Sequence, residues 1–136
     1  MTSENQHQPQ QHPDIKPSVI GVLLVNLGTP STSDKHAVRR FLAEFLSDRR
    51  VIELPALVWK PLLYGIVLTT RPTKVAKAYQ SIWMKEHNQS PLRFYTFQQS
   101  QKLGERLSPH TSIIVKWAMR YGEPSLQSGM DSLIQQ

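Results

Sequence analysis

The chain has 136 residues, of which 39% are hydrophobic and 19% are charged, a composition typical of one globular domain with a modest core. It contains no cysteine, which excludes disulfides and thiolate-held zinc or iron–sulfur sites within these residues. The net charge of +6 is interpreted as a mildly basic surface, with an anionic partner as the alternative, and basic residues occur in runs of at most two. Nucleic acid is therefore not an expected partner, since its binders cluster their cations.

The first 18 residues, MTSENQHQPQQHPDIKPS, are rich in Gln, Pro and His. They bury too little apolar surface to offset the entropy of ordering, so we predict a disordered tail over 1–18. His7 and His12 are interpreted as solvated tail residues rather than metal ligands. No apolar stretch follows a positively charged N-terminus, which argues against a secretory signal and favours a cytoplasmic protein.

Val19–Leu27 is an almost unbroken apolar run between Pro17 and Gly28, which predicts a strand covered on both faces. Ser33 or Asp34 can cap the helix that follows. The apolar residues of that helix recur at helical spacing and predict one buried face: Val38, Phe41, Leu42, Phe45 and Leu46.

Within Val51–Leu68, the stretch ALVWKPLLYGIVL is strongly apolar but is interrupted by Lys60 and Pro61, and it is shorter than the ~20 apolar residues that span a bilayer. Two interpretations remain open. The segment is either a buried or crossing pair of helices, or a hydrophobic lip that contacts a membrane or an apolar ligand.

The rest of the chain predicts a helix over Thr73–His87 and a second helix that starts at Ser90-Pro91 and runs to about Leu107. A strand over Thr111–Met119 follows. The last predicted helix begins at Glu123-Pro124 and turns four apolar side chains inward: Leu126, Met130, Leu133 and Ile134.

The order of strand, helices, strand and helix predicts an α/β layer with parallel strands. Two strands are too few to form a stable sheet alone, so we expect these residues to be part of a truncated domain. Ligands of such sheets bind beyond the carboxyl ends of the strands. The two loops at that edge are 26–30 and 120–124.

Arg120 and Tyr121 are the most suggestive residues of these loops, because a cation beside a flat ring could hold an anionic, planar ligand. The glycine-rich fingerprints of dinucleotide and phosphate sites are missing, which disfavours a nucleotide ligand. The remaining histidines have no metal-site spacing and are predicted to lie on the surface: His36, His87 and His110.

Five motifs occur in a characteristic order: GVLLVNLGTP, FLSDRRVIELP, VAKAYQSIW, SPL and MRYGEPS. Together they resemble the N-terminal part of ferrochelatases, most closely those of proteobacteria, over about residues 18–136. The resemblance implies a Rossmann-like, chelatase-like layer, here the incomplete first domain (19–136) of a two-domain fold. It also implies that the whole protein inserts ferrous iron into protoporphyrin IX to make protohaem.

The resemblance implies a set of porphyrin contacts: Leu27, Arg71, Tyr79, Ser90, Arg120 and Tyr121. It also implies that Leu57–Leu68 forms the family's hydrophobic lip, so a peripheral contact with the inner membrane stays open. The family's metal-handling histidine, in a Ser-x-His motif, and its partner glutamate are expected downstream of these residues. We therefore assign no catalytic or metal-binding residue here and expect no cofactor; iron and porphyrin are substrates of the full enzyme.

Two segments depart from the family pattern. Glu86-His87-Asn88-Gln89 replaces a Gly-Gly that many relatives carry before SPL, and Arg71-Pro72-Thr73-Lys74 has its proline shifted by one position. These changes predict a different loop before Ser90 and an altered helix start near Arg71. A non-catalytic porphyrin-binding or membrane-docking fragment remains the alternative to an enzyme portion.

Overall fold

The computed structural model describes residues 19–109 and 112–135. The predicted tail (1–18), with His7 and His12, and also His110, lie outside the described residues. The elements, in chain order, are β1 (Ile20–Gly28), α1 (Lys35–Ser47), α2 (Ala56–Leu62), a π-helical turn (Leu63–Val67), α3 (Leu68–Ile82), α4 (Pro91–Leu107), β2 (Ile113–Tyr121) and α5 (Leu126–Ile134).

The two strands pair in parallel, from Ile20 opposite Ile113 to Gly28 opposite Tyr121. Helix α4 covers one face of this sheet, where Phe97 contacts Trp117. Helix α5 covers the other face. This arrangement confirms the predicted α/β class with parallel strands, and both strands lie within two residues of their predicted bounds.

Close approach of helix and sheet requires a glycine in α5. A Cβ atom at Gly129 would lie 2.9 Å from the Cβ of Ala118 and 2.9 Å from Cδ1 of Leu23. The sequence prediction that Leu126, Met130 and Ile134 point inward is wrong, because these residues are 37%, 49% and 76% exposed. The apolar pattern could not show that the smallest residue of the helix marks its buried face.

Asp34 begins α1, as predicted, by accepting hydrogen bonds from the backbone N–H groups of His36 and Ala37. Val38 and Phe41 are buried, which confirms the inner part of the predicted apolar face. Ser90 begins α4 in the same way, since its hydroxyl accepts from the N–H of Arg93 and Pro91 follows at the first helical position.

The segment from Ala56 to Ile82 is helical throughout, so the prediction of a helix that starts only at Thr73 is wrong. Pro72 lies inside α3 although it cannot donate to the carbonyl of Leu68, four residues earlier. That carbonyl accepts a hydrogen bond of 3.2 Å from Nε of Arg39 instead. A long-range side-chain donor therefore replaces the missing backbone bond, which no local sequence rule reveals.

Helix α3 ends at Ile82, five residues before the predicted end. The chain then makes a tight turn in which the N–H of Met84 donates to the carbonyl of Gln89. Asn88 adopts a positive φ of 48°, which asparagine tolerates better than most residues. This turn leads directly into α4; that it differs from the loop of relatives stays a prediction.

Helix α2 and the π-helical turn expose much of their apolar surface. Leu57 is 92% exposed, and the side chains of Val58, Tyr64 and Ile66 are more than half exposed. The indole N–H of Trp59 donates to the carbonyl of Leu46 at 2.7 Å and fixes the segment to α1. Within the described residues this segment is therefore not a buried pair of helices, and its interpretation as a hydrophobic lip stays a prediction.

No helix in the described part of the chain combines the length and the apolar character needed to cross a bilayer.

Candidate ligand site at the carboxyl ends of the strands

Two clefts open at the carboxyl edge of the sheet, where the loops after β1 and β2 meet α1. The larger has a volume of about 460 Å³, and its lining includes Asp48, Arg50, Arg120 and Tyr121. The smaller, of about 250 Å³, lies between the segment 29–31, α1 and the segment 122–125. Glu44 lines both clefts. Both clefts thus lie at the sheet edge where the topology predicts a ligand.

Gly28 allows the loop after β1 to approach the loop after β2. Its φ of +119° is unfavourable for other residues, and a Cβ at this position would lie 1.9 Å from the carbonyl oxygen of Tyr121. The loop after β2 is held in turn by Glu44, whose Oε2 accepts from the backbone N–H of Gly122 at 3.1 Å. The ends of the strands are therefore fixed relative to each other and to α1.

Asp48, the residue after the last turn of α1, joins Arg120 and Tyr121 in one hydrogen-bonded cluster. Oδ2 of Asp48 accepts from Nη2 of Arg120 at 3.0 Å and from the Tyr121 hydroxyl at 2.9 Å. Nε of Arg120 donates to the Tyr121 hydroxyl at 3.1 Å. The other carboxylate oxygen, Oδ1, accepts from the backbone N–H of Arg50 at 2.8 Å. We call these residues the Asp48–Arg120–Tyr121 cluster.

These bonds stabilise the charged forms of the cluster. Donation from the Arg50 N–H, and then from Arg120 and Tyr121, lowers the pKa of Asp48 from 3.8 to about 2. Hydrogen bonds to Tyr121 and Asp48 raise the pKa of Arg120. The cluster therefore keeps one carboxylate and one guanidinium at neutral pH.

Tyr121 is 5% exposed, and Phe45 packs edge-on against its ring at a centroid distance of 5.1 Å. Arg120 lies over the same ring, with its guanidinium carbon 5.4 Å from the centroid. In the structure the Tyr121 ring therefore packs between Phe45 and the Arg120 guanidinium and does not present an open flat face to a ligand. The side chain of Arg120 is 37% exposed and remains open to a ligand.

Leu27 shares the register position of Arg120, between the pairs Asn26–Met119 and Gly28–Tyr121. Alternation along paired strands places both side chains on the same face of the sheet. Leu27 is 51% exposed. The structure thus brings together three of the six residues implied by the resemblance: an exposed apolar group, a cation and a buried ring.

Tyr79 lies on α3 beside Thr29, which is in the loop after β1. Its ring meets Phe41 edge-on at 6.5 Å, and burial raises its pKa, with a smaller opposing effect from the neighbouring Thr29 hydroxyl. Ser90 is 1% exposed, and its hydroxyl is engaged in capping α4. Arg71 is exposed and lies eight residues before Tyr79, about 12 Å along the helix axis. Of the two predicted contacts on α3, Arg71 lies farther from this edge than Tyr79.

Sequence reasoning missed the roles of Asp48 and Glu44 at this site. Asp48 lies inside the FLSDRR motif, and an acidic residue at a helix end followed by two arginines was the available signal. Its partner Arg120 is 72 residues away, so the pairing itself could not be inferred from spacing.

Among the described residues there is no group of three or more His, Asp or Glu side chains placed to hold a metal ion. His36 and His87 are exposed, as predicted. Ser108, Pro109 and His110 do have the spacing Ser-x-His, which the sequence interpretation overlooked. They follow α4 immediately and precede β2, whereas the resemblance expects the motif far downstream.

Comparison with known proteins identifies the family. The family model described as ferrochelatase matches residues 19–136, which is nearly all of the chain outside the predicted tail. The chain belongs to the ferrochelatase family. This confirms the resemblance that the five motifs carry.

Ferrochelatases of alphaproteobacteria are among its similar relatives. The chain is 54% identical over 127 residues to the ferrochelatase of Allorhizobium ampelinum, covering 93% of the chain and 37% of that protein. It is 57% identical over 117 residues to the ferrochelatase of Brucella anthropi, covering 86% and 33%. All 136 residues align with the ferrochelatase of Rhizobium leguminosarum bv. trifolii at 51% identity, which covers 40% of that protein. The chain thus spans about a third to two fifths of the length of these relatives.

Proposed function

We propose that these residues form part of the porphyrin-binding cleft of a ferrochelatase, an enzyme of haem biosynthesis that inserts ferrous iron into protoporphyrin IX. The observation that carries the proposal is the juxtaposition of Leu27, Arg120 and Tyr121 at the carboxyl edge of the sheet, in a chain that matches the ferrochelatase family over 19–136. This is the edge at which open α/β sheets bind their ligands.

The chemistry of protoporphyrin suits this edge. Its two propionates are carboxylates, and a guanidinium can bind a carboxylate through charge-assisted hydrogen bonds. Arg120 presents such a group beside the cleft of about 460 Å³, with Arg50 as a second cation in its lining. Leu27 and Tyr79 are apolar enough to pack against the macrocycle, and Arg71 could reach a propionate from α3.

Metal insertion replaces two pyrrole protons of the porphyrin by the metal ion, so the reaction needs a base and a bound, distorted macrocycle. In this proposal the described residues supply binding, and the base and metal-handling residues lie elsewhere in the longer protein. The 136-residue chain alone is then an inactive porphyrin-binding portion. Iron is a substrate of the whole enzyme, and no cofactor is assigned to these residues.

A titration of the 136-residue chain with protoporphyrin IX, followed by absorbance and fluorescence, tests the binding role. Arg120→Gln should weaken binding about tenfold, as expected for loss of a hydrogen bond between charged groups. Arg106→Gln is the matched control, because Arg106 is an exposed arginine in the last turn of α4. Equal affinities of the two variants would contradict the assignment of Arg120.

An assay of zinc or ferrous iron insertion tests the second half of the proposal. The 136-residue chain is expected to show no turnover above the uncatalysed rate. Turnover near that of a complete ferrochelatase would show that the chemistry lies within these residues and would contradict the proposal.

We also propose a peripheral contact with the inner membrane for a cytoplasmic protein, through Leu57–Leu68. The support is the exposure of Leu57 and Val58 on a helix that Trp59 fixes to α1. Leu57→Ser with Val58→Ser should reduce co-flotation with vesicles of phosphatidylethanolamine and phosphatidylglycerol. Ile134→Ser is the control, since Ile134 is 76% exposed on a different helix, and an equal loss in that variant would contradict the contact.

A further inference from the structure

Arg120 is held along one side of its guanidinium. Nε donates to the Tyr121 hydroxyl and Nη2 donates to Oδ2 of Asp48, so both bonds lie on the Nε–Nη2 edge. Nη1 has no hydrogen-bond partner in the part of the chain that the structure describes. The end of the fork, formed by Nη1 and the second N–H of Nη2, is therefore free to bind a carboxylate in two-point fashion.

The groups that hold Arg120 are themselves fixed. Asp48 is held by the Arg50 N–H on its other oxygen, and Tyr121 is buried against Phe45. The Asp48 side chain is 21% exposed, so it lies deeper than the guanidinium that it holds. A free arginine side chain loses considerable rotamer freedom when it binds a ligand, and an arginine that is already held loses less.

We infer that Asp48 is a positioning residue for the ligand carboxylate: it fixes Arg120 in the orientation that presents the end of the guanidinium to one propionate of the porphyrin. This inference rests on the proposed function, from which it takes the identity of the ligand. Asp48 does not contact the ligand in this arrangement and acts only through Arg120.

The preference for a free propionate over its methyl ester measures this role. Mesoporphyrin and its dimethyl ester share the macrocycle and differ in charge, so the ratio of their dissociation constants isolates the carboxylate contact. In the 136-residue chain, Asp48→Ala should lower the preference for the diacid roughly two- to tenfold, the cost of ordering one flexible side chain at binding. Arg120→Gln should lower it at least as much.

Two further variants separate positioning from charge and from folding. Asp48→Glu keeps a carboxylate that can reach Arg120 and should restore part of the preference. Asp131→Asn removes an exposed carboxylate from α5 and should leave the preference unchanged. An increase in the preference of Asp48→Ala would show that Asp48 competes with the ligand for Arg120, and it would overturn the inference.

A measurement without porphyrin tests the same point. The ¹⁵Nε–¹H signal of Arg120 should have the relaxation of an ordered side chain in the unsubstituted chain and of a mobile one in Asp48→Ala. A mobile Arg120 in the unsubstituted chain, or an equally ordered one in Asp48→Ala, would overturn the inference. If the unsubstituted chain is folded by circular dichroism and binds neither porphyrin, the proposed function fails. If the diacid preference depends on Arg120 but not on Asp48, the inference alone fails.

Discussion

The carboxyl edge of the sheet and the helical segment 56–67 are both accessible surfaces, but they differ in how their side chains are partnered. At the edge, Asp48, Arg120 and Tyr121 bond to one another, and Glu44 bonds to the loop after β2. In the segment, Leu57 and Val58 lie in the open, and Trp59 provides the link to α1. The first surface is ordered for directional polar contacts, and the second suits a non-directional apolar one.

The largest expected effect comes from breaking the edge at Gly28. Gly28→Ala places a methyl group against the Tyr121 carbonyl at a backbone conformation that alanine avoids, and we expect it to cost about 3–4 kcal/mol of unfolding free energy. Urea denaturation followed by circular dichroism measures this loss.

The matched control lies in the other region. A Cβ at Gly65 would meet nothing within 4 Å, so Gly65→Ala should be neutral or stabilising by about 0.5–1 kcal/mol. If Gly28→Ala were as stable as Gly65→Ala, the edge would be far more adaptable than its geometry indicates.

A smaller loss of unfolding free energy is expected from removing the Arg39 hydrogen bond at the start of α3. Arg39→Met removes the donor to the Leu68 carbonyl, which Pro72 leaves without its backbone partner, and should cost about 1 kcal/mol. Arg40→Met is the control, because Arg40 is the neighbouring exposed arginine on α1. Equal unfolding midpoints in urea for the two variants would mean that solvent replaces the Arg39 bond without loss.

The pH dependence of stability should report the Asp48–Arg120–Tyr121 cluster. Because the pKa of Asp48 falls from 3.8 to about 2 on folding, its contribution is present above pH 3.8 and is lost as the pH falls through about 2. Asp48→Asn should therefore reduce the slope of the stability profile between about pH 4 and 2, while Asp34, whose pKa is also lowered to about 2 by its Thr32 hydrogen bond, keeps the remainder. Urea denaturation at several pH values tests this, with the unsubstituted chain as the reference.

The smallest effect on stability is expected from Leu57. Because its side chain is 92% exposed, Leu57→Ser should change the free energy of unfolding by no more than about 0.5 kcal/mol. A larger loss in thermal or urea denaturation would show that the segment is part of the core rather than a surface for another molecule.

The parts of the fold that the sequence predicted well have local causes. β1 is a continuous apolar run that ends at a glycine, and α4 starts at a serine followed by proline, so composition and capping rules sufficed for both. The path through Pro72 was mispredicted because Arg39, far away in sequence, supplies the missing hydrogen bond. The buried face of α5 was mispredicted because Gly129 carries no apolar side chain to mark it.

The candidate site divides in the same way. Leu27, Arg120 and Tyr121 could be placed at one edge from the topology alone, because carboxyl ends of parallel strands meet there. The exposure of Leu57 and the role of Asp48 could not, since the first depends on what the helix packs against and the second on a contact across 72 residues. Ser90 was predicted both as a helix cap and as a ligand contact, and the structure documents the cap.

The parallel pairing of β1 with β2 also has a consequence for synthesis on the ribosome. The first residue pair of the sheet, Ile20 with Ile113, can form only after Ile113 has been synthesised. With about ninety residues to translate in between, that delay is roughly 5–20 s at ordinary elongation rates. During this time the apolar β1 strand lacks the strand with which it pairs in the described structure, and the helices α1 to α4 emerge before that strand does. Nascent chains stalled before residue 113 should therefore be more prone to capture by chaperones than chains released after residue 121.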